Sequence, residues 1–182
     1  MVTYRLSTEA SRHRVAIWRE LRKAGAVSLQ QATWALPTGQ GFDEAVTRAR
    51  ELVERADGQL LVFDVVPDQQ SASALEALFT EDREAEWAEF LSECTKFEAE
   101  VAKEIEIQKL TLAELEEEEH SYDRLRRWFR ELRGRDLFRS PSAEVAERRL
   151  KDCGEVVEDF GERVFAAREQ PRSPASDRTP PT

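Results

Sequence analysis

Between Ser11 and Pro37 the chain reads SRHRVAIWRELRKAGAVSLQQATWALP, which packs a basic amphipathic helix, a glycine stop and a tight strand pair into one run. Ser11 is placed to cap a helix over Arg12 to Ala24, because its hydroxyl can accept from the unpaired amides of a first turn, and Gly25 supplies a left-handed terminator. At roughly 100° per residue, Ile17, Trp18, Leu21 and Ala24 share an apolar face, opposite a basic stripe of Arg12, Arg19 and Lys23 with Arg22 beside it. Arg14 projects into the apolar face, where an unpaired guanidinium would be costly, so a carboxylate from another element, or an anion, is expected beside it. After Gly25, residues 26–30 and 33–36 read as strands turning at Gln31 and Ala32, and Pro37 ends the second.

The flanking segments extend this run into a unit. Val2 to Ser7 alternates apolar and polar residues as a half-buried strand does. Residues 42–56 place Phe42, Ala45, Val46, Ala49, Leu52, Val53 and Ala56 on one helical face, with Gly58 expected to stop the helix. Gln59 to Val66, reading QLLVFDVV, is expected to be a strand closed by Pro67. The order β-α-β-β-α-β over residues 1–67 is the ferredoxin-like pattern: an antiparallel sheet with both helices on one face and the other face awaiting a cover.

A polar linker is expected at 68–73, followed by a three-helix antiparallel region over 74–168. Trp87, Phe90, Leu91, Cys94, Phe97, Val101 and Ile105 keep a three-four repeat within a helix over about 74–109. Leu112 to Leu132 form a second helix, interrupted by the acidic run Glu116 to Glu119 and ended at Gly134. Ser140 with Pro141 restarts a third, whose apolar face runs from Val145 to Phe165. The proline-rich end, 169–182, is expected to be disordered. The fold class is therefore α+β, a ferredoxin-like unit followed by a long-helix appendage.

Charge is segmented. The whole chain carries −10, which argues against loose coating of nucleic acid, yet residues 1–40 carry +4 and residues 75–119 carry −12. The basic cluster Arg124, Arg126, Arg127, Arg130 and Arg133 follows the acidic helix. It reads either as intramolecular charge matching or as an anion-binding surface. Cys94 and Cys153 fall on apolar helical positions as small buried hydrophobes, and His13 and His120 add no metal spacing. No apolar run long enough to span a bilayer and no leader is apparent, so a cytoplasmic protein with no membrane partner is expected.

The pattern S-R-H-R-V-A-x-W-R-x-L-R-x-x-G-A-V-x-L-Q-Q-x-x-W-x-L-P resembles the opening of the N-terminal domain of ChrB, the regulator found in bacterial chromate-resistance operons. L-x-x-W-F-x-x-L-x-x-R-D-L-F at Leu125 to Phe138 and L-x-x-C-x-x-x-x-x-x-F-x-x-x-V-F at Leu150 to Phe165 continue the resemblance, which covers about Thr3 to Ala167. Members of that family usually carry glycine at the strand-pair turn where this chain has Gln31 and Ala32. Their full-length forms continue into a second domain whose properties are not carried over.

The resemblance implies transcriptional regulation through DNA binding or sensing. The residues offer Arg12, Arg19, Arg22 and Lys23 as DNA contacts and Arg14, Arg126, Arg127 and Arg130 as ion-pair or anion positions. Double-stranded DNA, a chromate-type oxyanion and a second copy of the chain are the expected partners, with no cofactor. The fold also resembles a small CRISPR adaptation nuclease and a domain of the phenylacetate-degradation repressor. Here, however, the first strand ends in Ser7 and Thr8, with Glu9 beyond it and no second carboxylate converging to hold a metal. The run GQG at Gly39 to Gly41 is a turn with no phosphate-loop signature after it. A non-catalytic chain is expected, and a protein-interaction or oligomerisation scaffold is the alternative to a regulator.

Overall fold

The computed structural model describes residues 1–7 and 11–169. Its elements run β1 (Val2–Arg5), α1 (Ser11–Lys23), β2 (Val27–Gln30), β3 (Thr33–Ala35), α2 (Gln40–Glu54), β4 (Gln59–Val62), α3 (Gln69–Glu106), α4 (Leu112–Arg135) and α5 (Ser142–Glu169). The chain is α+β, with a four-stranded sheet in the order β2-β3-β1-β4, each strand antiparallel to its neighbour. Two compact units divide the described residues: 1–88 with 131–143, and 89–130 with 144–169. The expected division at 68–73 does not mark that boundary. The expected tail beyond Glu169 lies outside the described residues, and Ser11, expected to cap α1, is instead its first helical residue.

In the first unit, Val2, Trp34 and Leu60 of the sheet pack with Ile17 and Leu21 of α1 and with Ala49 and Val53 of α2. α1 ends as expected: Gly25 (φ 84) takes the left-handed region, its N–H donates to Arg22 O at 2.9 Å, and Ala26 N donates to Leu21 O at 3.0 Å. A side chain there would also stand 2.9 Å from Arg135 Cβ, so glycine is required for both conformation and space. The β2–β3 turn manages without glycine, since Ala32 itself adopts φ 63 and the ladder shifts register between Ser28 and Gln30.

Several sequence expectations are corrected. α2 is closed by Asp57 (φ 50) rather than by Gly58, whose missing side chain instead admits Arg5 O, 2.5 Å from where a Cβ would be. β4 stops at Val62 rather than Val66, although Phe63 N still donates to Met1 O at 2.8 Å. The expected linker is the start of α3: Asp68 caps it by accepting from Ser71 N at 2.7 Å, which holds the Asp68 carboxyl below its usual range. α3 also reaches back to cover part of the second sheet face, setting Leu75 and Phe79 against Val27 and Ala35.

Gly134 lies inside α4 and does not end it, because the helix continues to Arg135. The acidic run at Glu116 to Glu119 does not interrupt α4 either, since all four residues are helical and a helix satisfies its own backbone whatever its side chains carry.

In the second unit the three helices run up, down and up. Phe97 meets Tyr122 and Phe90 meets Trp128 between antiparallel α3 and α4, with ring centroids 6.4 and 5.4 Å apart. Gly154 and Gly161 of α5 lie against Tyr122 and Leu115 of α4, and a Cβ on Gly154 would stand 2.6 Å from the Tyr122 hydroxyl. Cys94 and Cys153 are free and fully buried between α3 and α5. Cys153 Sγ lies 3.9 Å from Cys94 O, and its hydrogen bonding with the Cys94 thiol, with burial, pushes it above the usual thiol range. The buried seam of α3 runs Phe79, Arg83, Trp87, Phe90, Cys94, Phe97, Val101, Glu104, so the three-four repeat continues at both ends through charged residues.

Candidate functional site

α1 places the predicted DNA-contacting residues, and they divide into two groups. Arg12, Arg19 and Lys23 are exposed, and among the described residues none of them forms an ion pair. They occupy one face because seven and four residues each close close to whole turns, while Ile17 and Leu21 fix the opposite face in the core. Arg22 is different: its Nη1 lies 3.2 Å from Asp82 Oδ1 and its Nη2 3.4 Å from Glu86 Oε1, which ties it to α3. The sequence reading put Trp18 in the core, yet it stays 47% exposed, with the Arg22 guanidinium 5.6 Å from its ring centre.

Arg14 is half-buried, as its phase demands, but its partner among the described residues is not a carboxylate. Nη2 donates to the backbone carbonyl of Ser7 at 3.1 Å. The Ser7 carbonyl, just past β1, supplies an acceptor that sequence spacing does not reveal.

The basic cluster of α4 stays largely outside the acid–base pairing expected between α3 and α4. Arg126 pairs with its own helix at Asp123 (3.2 Å) and stacks on Tyr122 at 5.8 Å, while Arg127 and Arg130 are exposed and among the described residues unpaired. Leu125 and Leu132 are buried positions of this helix beside the cluster, which turns these arginines outward. Three carboxylates of α3 are taken by other cations: Asp82 and Glu86 by Arg22, Arg83 and Arg135, and Glu98 by Arg149 at 2.7 Å.

That first group of three arginines was not foreseen. Arg22, Arg83 and Arg135 come from α1, α3 and the end of α4 and converge on two carboxylates. Arg83 is only 2% exposed. Its Nε lies 2.9 Å from Glu86 Oε2 without the alignment of a hydrogen bond, and its Nη1 has no acceptor among the described residues. Burial holds Arg83 below its usual value, opposed by Glu86 and Asp82. A cavity of about 350 Å³ opens beside this cluster, lined by Trp18, Arg22, Ser28, Trp34, Leu78 and Asp82. The available signal was Arg83, which sits on the apolar repeat of α3 four residues before Trp87.

Among the described residues no group of three potential metal ligands converges, and Glu9 lies outside them. No helix among the described residues is long and apolar enough to cross a membrane.

No curated protein and no solved structure matches this chain significantly. The family described as "Protein ChrB, N-terminal" matches residues 14–171, which takes in α1 from Arg14 onward, β2 to β4, α2 and the three long helices. The chain therefore belongs to the ChrB N-terminal family, a chromate-resistance-associated regulatory family.

Proposed function

We propose that this chain is a DNA-contacting regulatory module, non-catalytic and cytoplasmic, whose exposed face of α1 meets the phosphate backbone through Arg12, Arg19 and Lys23. The observation that carries this reading is selective neutralisation: Arg22 is bound by internal carboxylates, and the three cations of the adjoining face are left free among the described residues. A ferredoxin-like frame for this face is supported by the strand order, which read from the β4 edge is 4-1-3-2, with a helix after β1 and another after β3. A homodimer would present the stripe twice.

The test is binding to the chain's own promoter across a salt titration. If each cation meets one phosphate, the parent has a log-log salt slope about three units steeper than Arg12→Glu/Arg19→Glu/Lys23→Glu. The triple variant keeps the parent's melting temperature because none of the three packs internally. Equal binding by both proteins at every salt concentration would reduce the stripe to a solvated face.

A second reading, sensing of a chromate-type oxyanion, is favoured by Arg22, Arg83 and Arg135. Arg22 lines the cavity, and Arg83, which shares Asp82 and Glu86 with it, has a buried Nη1 without an acceptor among the described residues. Sulfate, which shares the charge and shape of chromate but does not oxidise, should raise the melting temperature of the parent and leave Arg83→Met unmoved. An equal response of the two would remove this site.

A further inference from the structure

β4 is the outer strand of the sheet, and the segment from Leu61 to Val66 exposes an apolar run that nothing among the described residues covers. Leu61 is 45%, Val62 43%, Phe63 44%, Val65 55% and Val66 96% exposed. Edge strands ordinarily carry lysine, proline or a bulge that discourages pairing. Here the only charge from Gln59 to Val66 is Asp64.

The hydrogen-bond parity of the edge is fixed. Met1 and Phe63 exchange both of their backbone bonds, each 2.8 Å, so Leu61 and Gln59, two and four residues back, also turn their amides toward β1. Val62 therefore offers its N–H and C=O outward, and Asp64 would do the same in a pairing that extends the strand past Phe63. Leu60 does the same, and its carbonyl lies 3.4 Å from Arg50 Nη1 of α2, which sets a guanidinium at the edge. Val62 and Leu60 share the face of Val2 and Tyr4 that packs on α1 and α2, whereas Leu61 and Phe63 lie on the opposite face.

We infer that the chain self-associates by antiparallel pairing of β4 with β4 of a second copy, about a two-fold axis through Val62. That register sets Leu60 opposite Asp64 of the other copy and Leu61 opposite Phe63 of the other copy. Each exposed leucine then meets an exposed ring across the strand pair. Asp64 continues the pleat on the α2 side, where it meets the Arg50 guanidinium that already stands beside Leu60 O. Within one chain Asp64 has no ion pair among the described residues, and Arg50 donates only to that carbonyl. A two-fold operation supplies each with the other, twice per dimer. The occupant is thus a second copy, because the edge is complementary to itself in hydrogen bonding, in apolar side chains and in charge. The inference rests on the sheet edge and is independent of the DNA reading, since the stripe on α1 contributes no residue to it.

Light scattering after size exclusion, across a dilution series of the full chain, should give a mass about twice 20.9 kDa that falls toward the monomer on dilution. Val62→Pro removes an outward N–H that bonds to nothing among the described residues, so the monomer keeps its melting temperature while the dimer is lost. Arg50→Asp and Asp64→Arg, made singly, each weaken the dimer about tenfold or more, and the two together in one chain restore it. Should Val62→Pro prove unstable, the reversal pair decides alone. A monomer at every concentration overturns the proposal, leaving the edge to a different protein. A dimer indifferent to both single reversals, or one that the double reversal fails to recover, places the contact elsewhere and also overturns it. DNA binding by a monomer would sink this inference and leave the function above standing.

Discussion

The indole Nε1 of Trp87 donates to Asp136 Oδ2 at 3.0 Å, with both residues buried, and the same carboxylate accepts from the backbone N–H and the hydroxyl of Ser140 at 3.0 to 3.1 Å. One side chain thereby closes the connection leaving α4 and anchors it to α3. The neighbouring Ser142 is held similarly by Glu84, through its N–H at 3.0 Å and its hydroxyl at 2.6 Å.

Removing that acceptor strands three donors at once. Asp136→Ala is expected to cost about 3 kcal/mol in urea denaturation, because each buried donor left unpaired carries its own desolvation penalty. Trp87→Phe removes one donor and keeps most of the apolar volume, so a cost of about 1 kcal/mol is expected. Equal losses for the two variants would mean that Asp136 serves Trp87 alone.

The end of α2 separates two uses of a turn residue. Asp57 holds the left-handed conformation (φ 50), and Gly58 provides clearance, since a Cβ would stand 2.5 Å from Arg5 O and 2.6 Å from Leu6 Cδ2. Asp57→Gly is therefore expected to be neutral or to stabilise by about 0.5 kcal/mol, whereas Gly58→Ala costs about 2 kcal/mol by forcing β1 away. If Gly58→Ala is harmless while Asp57→Gly destabilises, the roles are reversed.

Periodicity made most of the elements legible. The alternation of β1, the apolar faces of α1 and α2 and the stop at Gly25 are local properties of the chain, and each stands where its spacing puts it. What escaped depends on residues far apart in sequence. Arg22 reads as one more surface cation until Asp82, sixty residues on, is brought beside it, and Trp18 reads as core until its neighbours Ile17 and Leu21 fill that space. Asp68 looked like linker because an isolated cap carries no hydrophobic period, and Gly134 looked like a stop because glycine tolerates a helix interior that it does not favour. Of the candidate contacts, the free stripe was foreseeable from helical phase, and the arginine group around Arg83 was not, because convergence belongs to the assembled fold.

The β2–β3 turn offers a simple test of backbone strain. Ala32 adopts φ 63, a conformation that costs an L side chain about 1 kcal/mol and glycine very little. Its carbonyl accepts from Tyr4 N at 3.0 Å, so the conformation is held by β1. Ala32→Gly is expected to raise stability by about 0.5 kcal/mol after the added freedom of the unfolded chain is counted, read as a small rise in melting temperature. A fall would show that the methyl group packs usefully.

Glu118 gives the second unit a pH dependence of definite sign. It is 2% exposed, its Oε2 has no hydrogen-bond partner among the described residues, and burial, reinforced by Glu104, Glu100, Glu117 and Glu114, raises its pKa from 4.5 to about 7. Glu104 shifts the same way, chiefly through burial and then through Glu114. Glu114 itself is lowered by Lys109, whose Nζ lies 2.6 Å from its Oε2. A raised carboxyl is protonated in the folded chain while the unfolded chain has already released its proton. Its contribution is therefore complete below the unfolded value of 4.5, is lost as pH rises through about 7, and is absent above that. The loss expected between pH 5 and pH 8 is on the order of 2 kcal/mol. Glu118→Gln, which keeps the shape without the charge, should match the parent near pH 5, exceed it at pH 8 and flatten the pH profile of urea unfolding. A parent that grows more stable from pH 5 to pH 8, with the variant following it in parallel, would show that Glu118 is ionised in the folded chain, held by a cation or solvent that the buried carboxylate cluster does not provide.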